Sequence, residues 1–301
     1  MRGRDSGFAL VLVIWALVLL ASLSTGFAYA VRHQLRAATD MADAVRAEAA
    51  ATAALHTAIL GIGSANKAQR WRDDARARSV TWPDAIITVR VRSEMSRIDI
   101  NRAPRELLSG LFTQLFDQAD VDALVDAVID WRDPDDRRST SGAEKEEYQA
   151  AGRSYAPSNT PFHSVNELGR VLGFNNRMLE AARPYLTVHS RQPRISAASA
   201  DLVVLSSIPG IDREAAQAFL AGREQTFATD GVLDYRSLGQ GAKYLDTRVG
   251  NRMYLIDIQV RLHDGLEHRE SVVIQLHNKA LYNLVAREVL PMRPAPERPS
   301  Q

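Results

Sequence analysis

The chain of 301 residues contains no cysteine. Disulfides, thiolate metal sites and a cysteine nucleophile are thereby excluded, and the redox compartment is left open. Net charge is nearly absent too: 37 Lys and Arg stand against 36 Asp and Glu, a formal +1. Such a balance offers no global attraction for nucleic acid, and none is expected as a partner. The 7 histidines are scattered, with no HExxH pair. GIGSAN at Gly61 matches neither phosphate-cradling loop, and no GxSxG nucleophile turn occurs. No enzyme constellation emerges. His263 and His268 flank one turn, which a solvated hairpin explains better than a metal pair does.

Charge is missing altogether from Phe8 to Val31. A helix needs about 20 residues, at about 1.5 Å each, to cross a hydrocarbon core. A secretory signal is the rival, with the AYA at Ala28–Ala30 as its cleavage site, but its apolar core is shorter. Beyond Arg32 an Ala-rich stretch continues without Pro or Gly until Gly61. Leu35, Ala38, Ala42, Val45 and Ala49 recur in it at three- and four-residue steps. One long helix, half in lipid and half outside, is the simplest account, with Gly61 and Gly63 as its stop. Arg2 and Arg4 precede the span and Arg32 follows it, so charge asymmetry sets its orientation only weakly.

AIITVRVR (85–92) and RIDI (97–100) have strand character. RMYLIDIQVRL (252–262) and ESVVIQL (270–276), joined at His263-Asp264-Gly265, make a hairpin. Between them the chain is mostly short helices. The expected class is α+β: a long N-terminal helix and a small antiparallel sheet, with a large helical domain inserted. The corresponding spans are 8–31 in the membrane, 32–100 for the outer helix and first strands, and 101–243 for the insertion. Residues 244–285 supply the last strands, and 286–301 form a Pro-rich disordered tail. The insertion contains a duplication. RIDINRAPRELL (97–108) aligns with RISAASADLVVL (194–205), and LSSIPGIDREAA (205–216) has the form of a helix-hairpin-helix. Asn101 or Asp99 can cap the first helix of copy one. Such hairpins can grip phosphate, but here Asp212 and Glu214 surround Arg213, and packing is the better account of them.

Between the copies, residues 130–168 crowd Asp133, Asp135, Asp136, Glu144, Glu146 and Glu147 into a Pro- and Gly-bearing stretch. A solvated acidic loop is one reading. A calcium site is the other, because hard cations take six to eight oxygens on irregular backbone. The spacing is not that of an EF-hand.

A short basic leader (1–7) ending in Gly7, then Phe8 and an apolar helix, resembles the type IV pilin and pseudopilin signature. The resemblance implies cleavage between Gly7 and Phe8 by a prepilin peptidase that also N-methylates Phe8. The fifth residue after the cut is normally Glu in that superfamily; here it is Leu12. A carboxylate in lipid costs about 2.5–3.5 kcal/mol and is kept for a partner. In pilus-like filaments that partner is the amine of the neighbour already assembled. A subunit with nothing above it can dispense with the acid. The stretch DW-x-D-x-DD…GAE…Y…Y-x-x-x-N-x-P…S-V-x-EL, from Asp130 to Leu168, resembles the centre of the K-type minor pseudopilins of type II secretion. INRAP (101–104 with Ile100) and the second copy's PGI also fit that family, so the resemblance spans Gly7 to about Leu276.

The resemblance implies a non-enzymatic subunit capping the pseudopilus tip, in export of folded proteins across the outer membrane. It implies a single pass through the inner membrane with the bulk of the chain in the periplasm. The implied partners are the I- and J-type minor pseudopilins and through them the major one. The outer-membrane secretin or the exported substrate is a further contact. Asp133, Asp135, Asp136, Glu144, Glu147 and Asn159 are the implied calcium ligands, for one or two ions. Lys145 follows GAE where relatives carry acids, which counts against the second ion. The alternative is a membrane-anchored helix-hairpin-helix DNA receptor of competence type, relying on Arg213 and Arg223.

Overall fold

The computed structural model describes residues 6–66, 68–117, 119–229, 233–246, 252–277 and 281–293. Helix α1 runs unbroken through Ser6–Gly63, about 87 Å at the usual rise. Its apolar window is long enough to cross a membrane, and none of that window is buried within the chain. Only from Asp43 onward does one face turn inward: Ala47, Ala50, Ala51, Ala54 and Ala58, with Leu55, Ile59 and Ile62. Alanine lets the helix axis come close to the sheet beneath it. Leu35, Ala38, Ala42, Val45 and Ala49, which carried the helical period, are all exposed. They mark a second apolar stripe, on the side of the helix away from its buried face.

The sheet has the order β1-β2-β5-β6-β7 and is antiparallel throughout. Its strands are β1 (Arg78–Trp82) and β2 (Ala85–Ser93), then β5 (Met253–Leu262), β6 (Glu267–Leu276) and β7 (Tyr282–Arg293). Alternation decides which face is buried: Ile87, Val89 and Val91 on β2, Ile256, Ile258 and Val260 on β5, and Val272 and Ile274 on β6 pack with α1. β1 went unread in the sequence because its exposed positions include Ser79 and Thr81. His268 corrects another expectation. It is buried rather than solvated, with its Nε2 3.4 Å from Glu270, which also accepts from Arg287 on β7 at 2.7 Å.

Ser93 stands opposite Tyr254 in the register, so the chain leaves the sheet and returns to it at one level. Everything between is the insertion. It holds β3 (Ile98–Asp99), α2 (Arg105–Leu115), α3 (Val121–Arg132), α4 (Lys145–Ala150) and α5 (Asn176–Ala182). After these come β4 (Leu186–Thr187), α6 (Leu202–Ser206) and α7 (Arg213–Ala228). RIDI belongs to this unit and not to the main sheet, because β3 pairs in parallel with β4. Leu245 belongs to it as well, bridged in parallel to Ile195. The insertion therefore begins before residue 101 and extends past 243. β7 also corrects the disordered tail: Ala286–Arg293 pair with β6. Residues 1–5 and 294–301 lie outside the described residues.

The two copies repeat in three dimensions. Ile98 and Ile195 each pair in parallel with a later strand residue, and α2 and α6 begin at the aligned positions Arg105 and Leu202. In copy one, Arg132 near the end of α3 donates to the carbonyls of Ile100 and Ala103. In copy two, Arg223 of α7 donates to the aligned carbonyls of Ala197 and Ala200 at 2.9 and 2.7 Å. Burial pulls both guanidinium groups down from their ordinary value, yet each satisfies backbone that no helix reaches. α2 starts behind Pro104 with no side-chain cap. Asp99 accepts instead from the amides of Asn101 and Arg191, and Asn101 exchanges two hydrogen bonds with the backbone of Phe162.

The copies pack closely at Gly110, where a Cβ would stand 2.0 Å from the carbonyl oxygen of Ser207. Backbone cannot yield there as a side chain would. Gly110→Ala is expected to destabilise the protein by about 1–3 kcal/mol. Gly222→Ala, in α7 with nothing within 4 Å, is expected to leave stability unchanged or raise it by up to about 1 kcal/mol. Thermal melts of the two variants side by side check both signs.

Candidate functional site

The acidic loop hangs from the end of α3. That helix buries Leu124, Val125, Val128 and Trp131, and it buries Asp126 and Asp130 as well. The two acids sit one turn apart and hold loop backbone: Asp126 accepts from the amide of Ser141 at 2.9 Å, Asp130 from that of Ser139 at 3.1 Å. Gly142 presses against Asp130, whose Oδ2 lies 2.0 Å from where a Cβ would be. The loop is thus pinned to the helix over its whole middle. Trp131 stacks with Phe162 at 6.0 Å and lies 6.2 Å from Tyr148, which closes the loop from the core side.

Of the six implied ligands, Asp135, Asp136, Glu147 and Asn159 make hydrogen bonds to other groups. Asp135 accepts from the amide of Arg137 at 2.9 Å. Asp136 accepts from Asn159 Nδ2 at 2.8 Å. Glu147 reaches back to the amide of Glu144 at 2.9 Å and pairs with Arg138 at 2.8 Å. The hydrogen bond from the Glu144 amide, with help from Arg138, holds its carboxyl below the ordinary value.

Glu144 is the opposite case. It stands at the start of α4 with its carboxylate making no capping bond, and it is 6% exposed. Both its oxygens are buried without a donor, as are Asp133 Oδ1 and Asn159 Oδ1. Burial, reinforced by the charges of Asp130, Asp133, Asp136 and Asp135, pushes the Glu144 carboxyl up to about 7. Asp133 is raised as well, by burial and then by Asp135 and Asp130. Among the described residues, no three His, Asp or Glu side chains are grouped to hold a metal ion. Two carboxylates and a carboxamide are what the loop offers, an all-oxygen set of the kind a hard cation takes. Asp126 and Asp130 were absent from the implied ligands. Their four-residue spacing in an otherwise apolar helix is the sign that could have singled them out.

Residues 93–191, from the edge of β2 through the first copy and the acidic loop, match the family model of the type II secretion system (T2SS), protein K. That match covers about a third of the chain and ends before the second copy. Beyond it the likeness is one of fold. The chain is similar to a chain in the crystal structure of the GspK-GspI-GspJ complex from the enterotoxigenic Escherichia coli type 2 secretion system. The TM-score is 0.58 at 16% identity, over 86% of this chain and 99% of that one. No curated protein sequence matches the chain.

Leu12 lies on the exposed apolar surface of α1, in the helix that also carries Gly7 and Phe8. Arg223, one of the two arginines on which DNA binding would depend, is spent on the carbonyls of Ala197 and Ala200. Arg213 stands exposed at the start of α7 between Asp212 and Glu214.

Glu144 predicts a pH dependence in protein freed of metal by a chelator. Its folded-state value lies above the ordinary 4.5, so the unfolded chain releases this proton first. Stability is then highest near pH 4.5 and falls as pH rises to about 7, by on the order of 3 kcal/mol. Glu144→Gln should flatten that slope. Melting temperatures between pH 5 and 8 in chelator decide it; parallel curves for the two proteins would contradict the assignment.

Proposed function

We propose that the chain is the non-enzymatic minor pseudopilin that ends a type II secretion pseudopilus, acting in export of folded proteins across the outer membrane. The observation that carries this reading is Leu12. The apolar span has no acid at the position where filament subunits hold one for the amine of their neighbour, and α1 presents leucine there, 59% exposed. The large insertion between β2 and β5 supports it. A unit of this bulk on the outer end of a filament subunit leaves no room for another to stack above.

Before assembly, α1 anchors the chain by a single pass in the inner membrane, with the sheet and insertion in the periplasm. Prepilin peptidase cuts between Gly7 and Phe8 and methylates the new amino terminus. The exposed stripe of Leu35, Ala38, Ala42, Val45 and Ala49 then receives the helices of the I- and J-type minor pseudopilins, and through them the major subunit. Its small residues permit close helix approach. The tip faces the outer-membrane secretin or the exported substrate. Calcium is the hard cation of the acidic loop, where the four donorless oxygens support its binding.

Mass spectrometry of the amino terminus, from cells with an active peptidase, tests the processing. The expected product begins at N-methylated Phe8; a chain beginning after Ala30 would sink the proposal. Val45→Arg on the exposed stripe is expected to abolish co-purification with the I- and J-type subunits while leaving the melting temperature of the isolated chain unchanged. Retained co-purification would remove the stripe from the interface.

A further inference from the structure

We infer that the outer edge of β7, with the hollow beside it, takes an extended segment of a partner protein as a sixth strand. The segment it fits is apolar and carries one cationic side chain near Glu288. β7 stands last in the order β1-β2-β5-β6-β7, so one of its edges pairs with β6 and the other with nothing among the described residues. Outside α1, six large apolar side chains are exposed among the described residues: Ile86, Leu281, Leu284, Val285, Val289 and Leu290. All but Ile86 belong to β7 or to the residue before it. Exposed apolar residues are normally scattered singly, and a long edge strand that bears them is a template for pairing. Here they are gathered on a strand whose outer edge still has backbone hydrogen bonds to give. The amide of His277 donates to the carbonyl of Leu281 at 2.8 Å. Pairs alternate from there, which leaves the amides of Tyr282 and Leu284 facing away from β6.

Register decides where each side chain points. Leu284 and Val289 stand opposite Ile274 and Glu270, on the face that α1 covers further in. Ala286, Glu288 and Leu290 stand opposite Val273, Ser271 and Arg269, on the outer face. A hollow of about 680 Å³ opens on that outer face, within the size range of ligand sites. Leu255, Val273 and Ala286 give it an apolar floor, and Pro184 and Val188 of the insertion wall it. Arg287 and Glu288 line it as well, so it runs along the β7 edge. A strand added to β7 sends alternate side chains to two places, onto Leu284 and Val289 and into the hollow. In such additions backbone pairing supplies affinity, and pockets for alternate side chains supply selectivity.

Charge narrows the partner further. Arg287 is answered by Glu270 at 2.7 Å. Glu288 is exposed and takes part in no ion pair among the described residues. Between Tyr282 and Leu290 the open charge is therefore negative, and a cation across from it is favoured. A second copy is a poorer occupant. β7 paired antiparallel with β7 about its middle would set Arg287 against Arg287 or Glu288 against Glu288. Pro291 has no amide hydrogen and the register shifts beside it, so the usable edge ends at Leu290.

The test places the full chain in phospholipid nanodiscs, with empty nanodiscs as the baseline. The probes are fluorescein-labelled peptides of alternating valine and threonine, as long as Tyr282–Leu290, read by fluorescence anisotropy. One carries a central lysine, a second a central glutamate, and a third the lysine with its backbone amides N-methylated throughout. The lysine peptide is expected to bind, about fivefold more tightly than the glutamate peptide. N-methylation should weaken binding by at least about tenfold. Glu288→Lys should reverse the order of the first two peptides at an unchanged melting temperature. Leu284→Pro, which removes an outward amide and no bond to β6, should weaken both. A lysine peptide that does not bind, an N-methylated one that binds equally well, or an order unchanged in Glu288→Lys would overturn the inference. So would a dimer of the chain that Leu284→Pro dissociates, which would give the edge to a second copy. Failure here leaves the tip reading standing, because only the isolated chain is measured.

Discussion

One unbroken helix is fully exposed and apolar at one end and packed on a sheet at the other, and the rest of the molecule is arranged around that constraint. From Leu10 to Ala30 α1 is exposed and carries no charged side chain, and it is long and apolar enough there to cross a membrane. Over its second half it must lie on a sheet, and the alanines from Ala47 to Ala58 let it do so at short range. From Ala47 to Ile62 the helix occupies one face of the sheet. Any added domain has to enter elsewhere. It does so between the adjacent strands β2 and β5, where Ser93 and Tyr254 face each other. An insertion there leaves the antiparallel register of the sheet undisturbed.

The insertion solves a problem of backbone satisfaction twice in the same way. Short helices joined by irregular loops leave carbonyls without partners. Arg132 and Arg223 each reach from a second helix to a pair of those carbonyls, at aligned places in the two copies. The cost is a guanidinium taken partly out of water. The acidic loop uses the reverse arrangement, with Asp126 and Asp130 collecting backbone amides. Once those two are satisfied, the buried oxygens left without a donor are both of Glu144, Oδ1 of Asp133 and Oδ1 of Asn159.

How much of this was legible beforehand differs by element. The long helix, the β5–β6 hairpin and the second helix-hairpin-helix could be located because their signals are local: apolar length, DG in a turn, PG between helices. RIDI was misplaced because two residues of strand look the same whichever sheet they join, and only the parallel partner β4 assigns them. β7 was half lost to a tail because proline and charge near the end outweighed the alternation of Tyr282–Val289. Its pairing partner lies on β6, and an edge strand needs no buried period of its own. The acidic residues were visible as a group. Their division into engaged and unpartnered oxygens was not, because it depends on Asn159 crossing 23 positions to Asp136.

The sequence by itself determined the apolar span with Leu12 in it, the α+β order of elements, the duplication, and the acidic composition of the loop. Each is a property of neighbours along the chain. The tertiary structure alone decided which stripe of α1 is buried, that Arg223 serves backbone, and which oxygens of the loop lack a donor. Those outcomes depend on groups brought together from distant parts of the chain. A side chain's partners in space are set by packing, which local pattern does not encode.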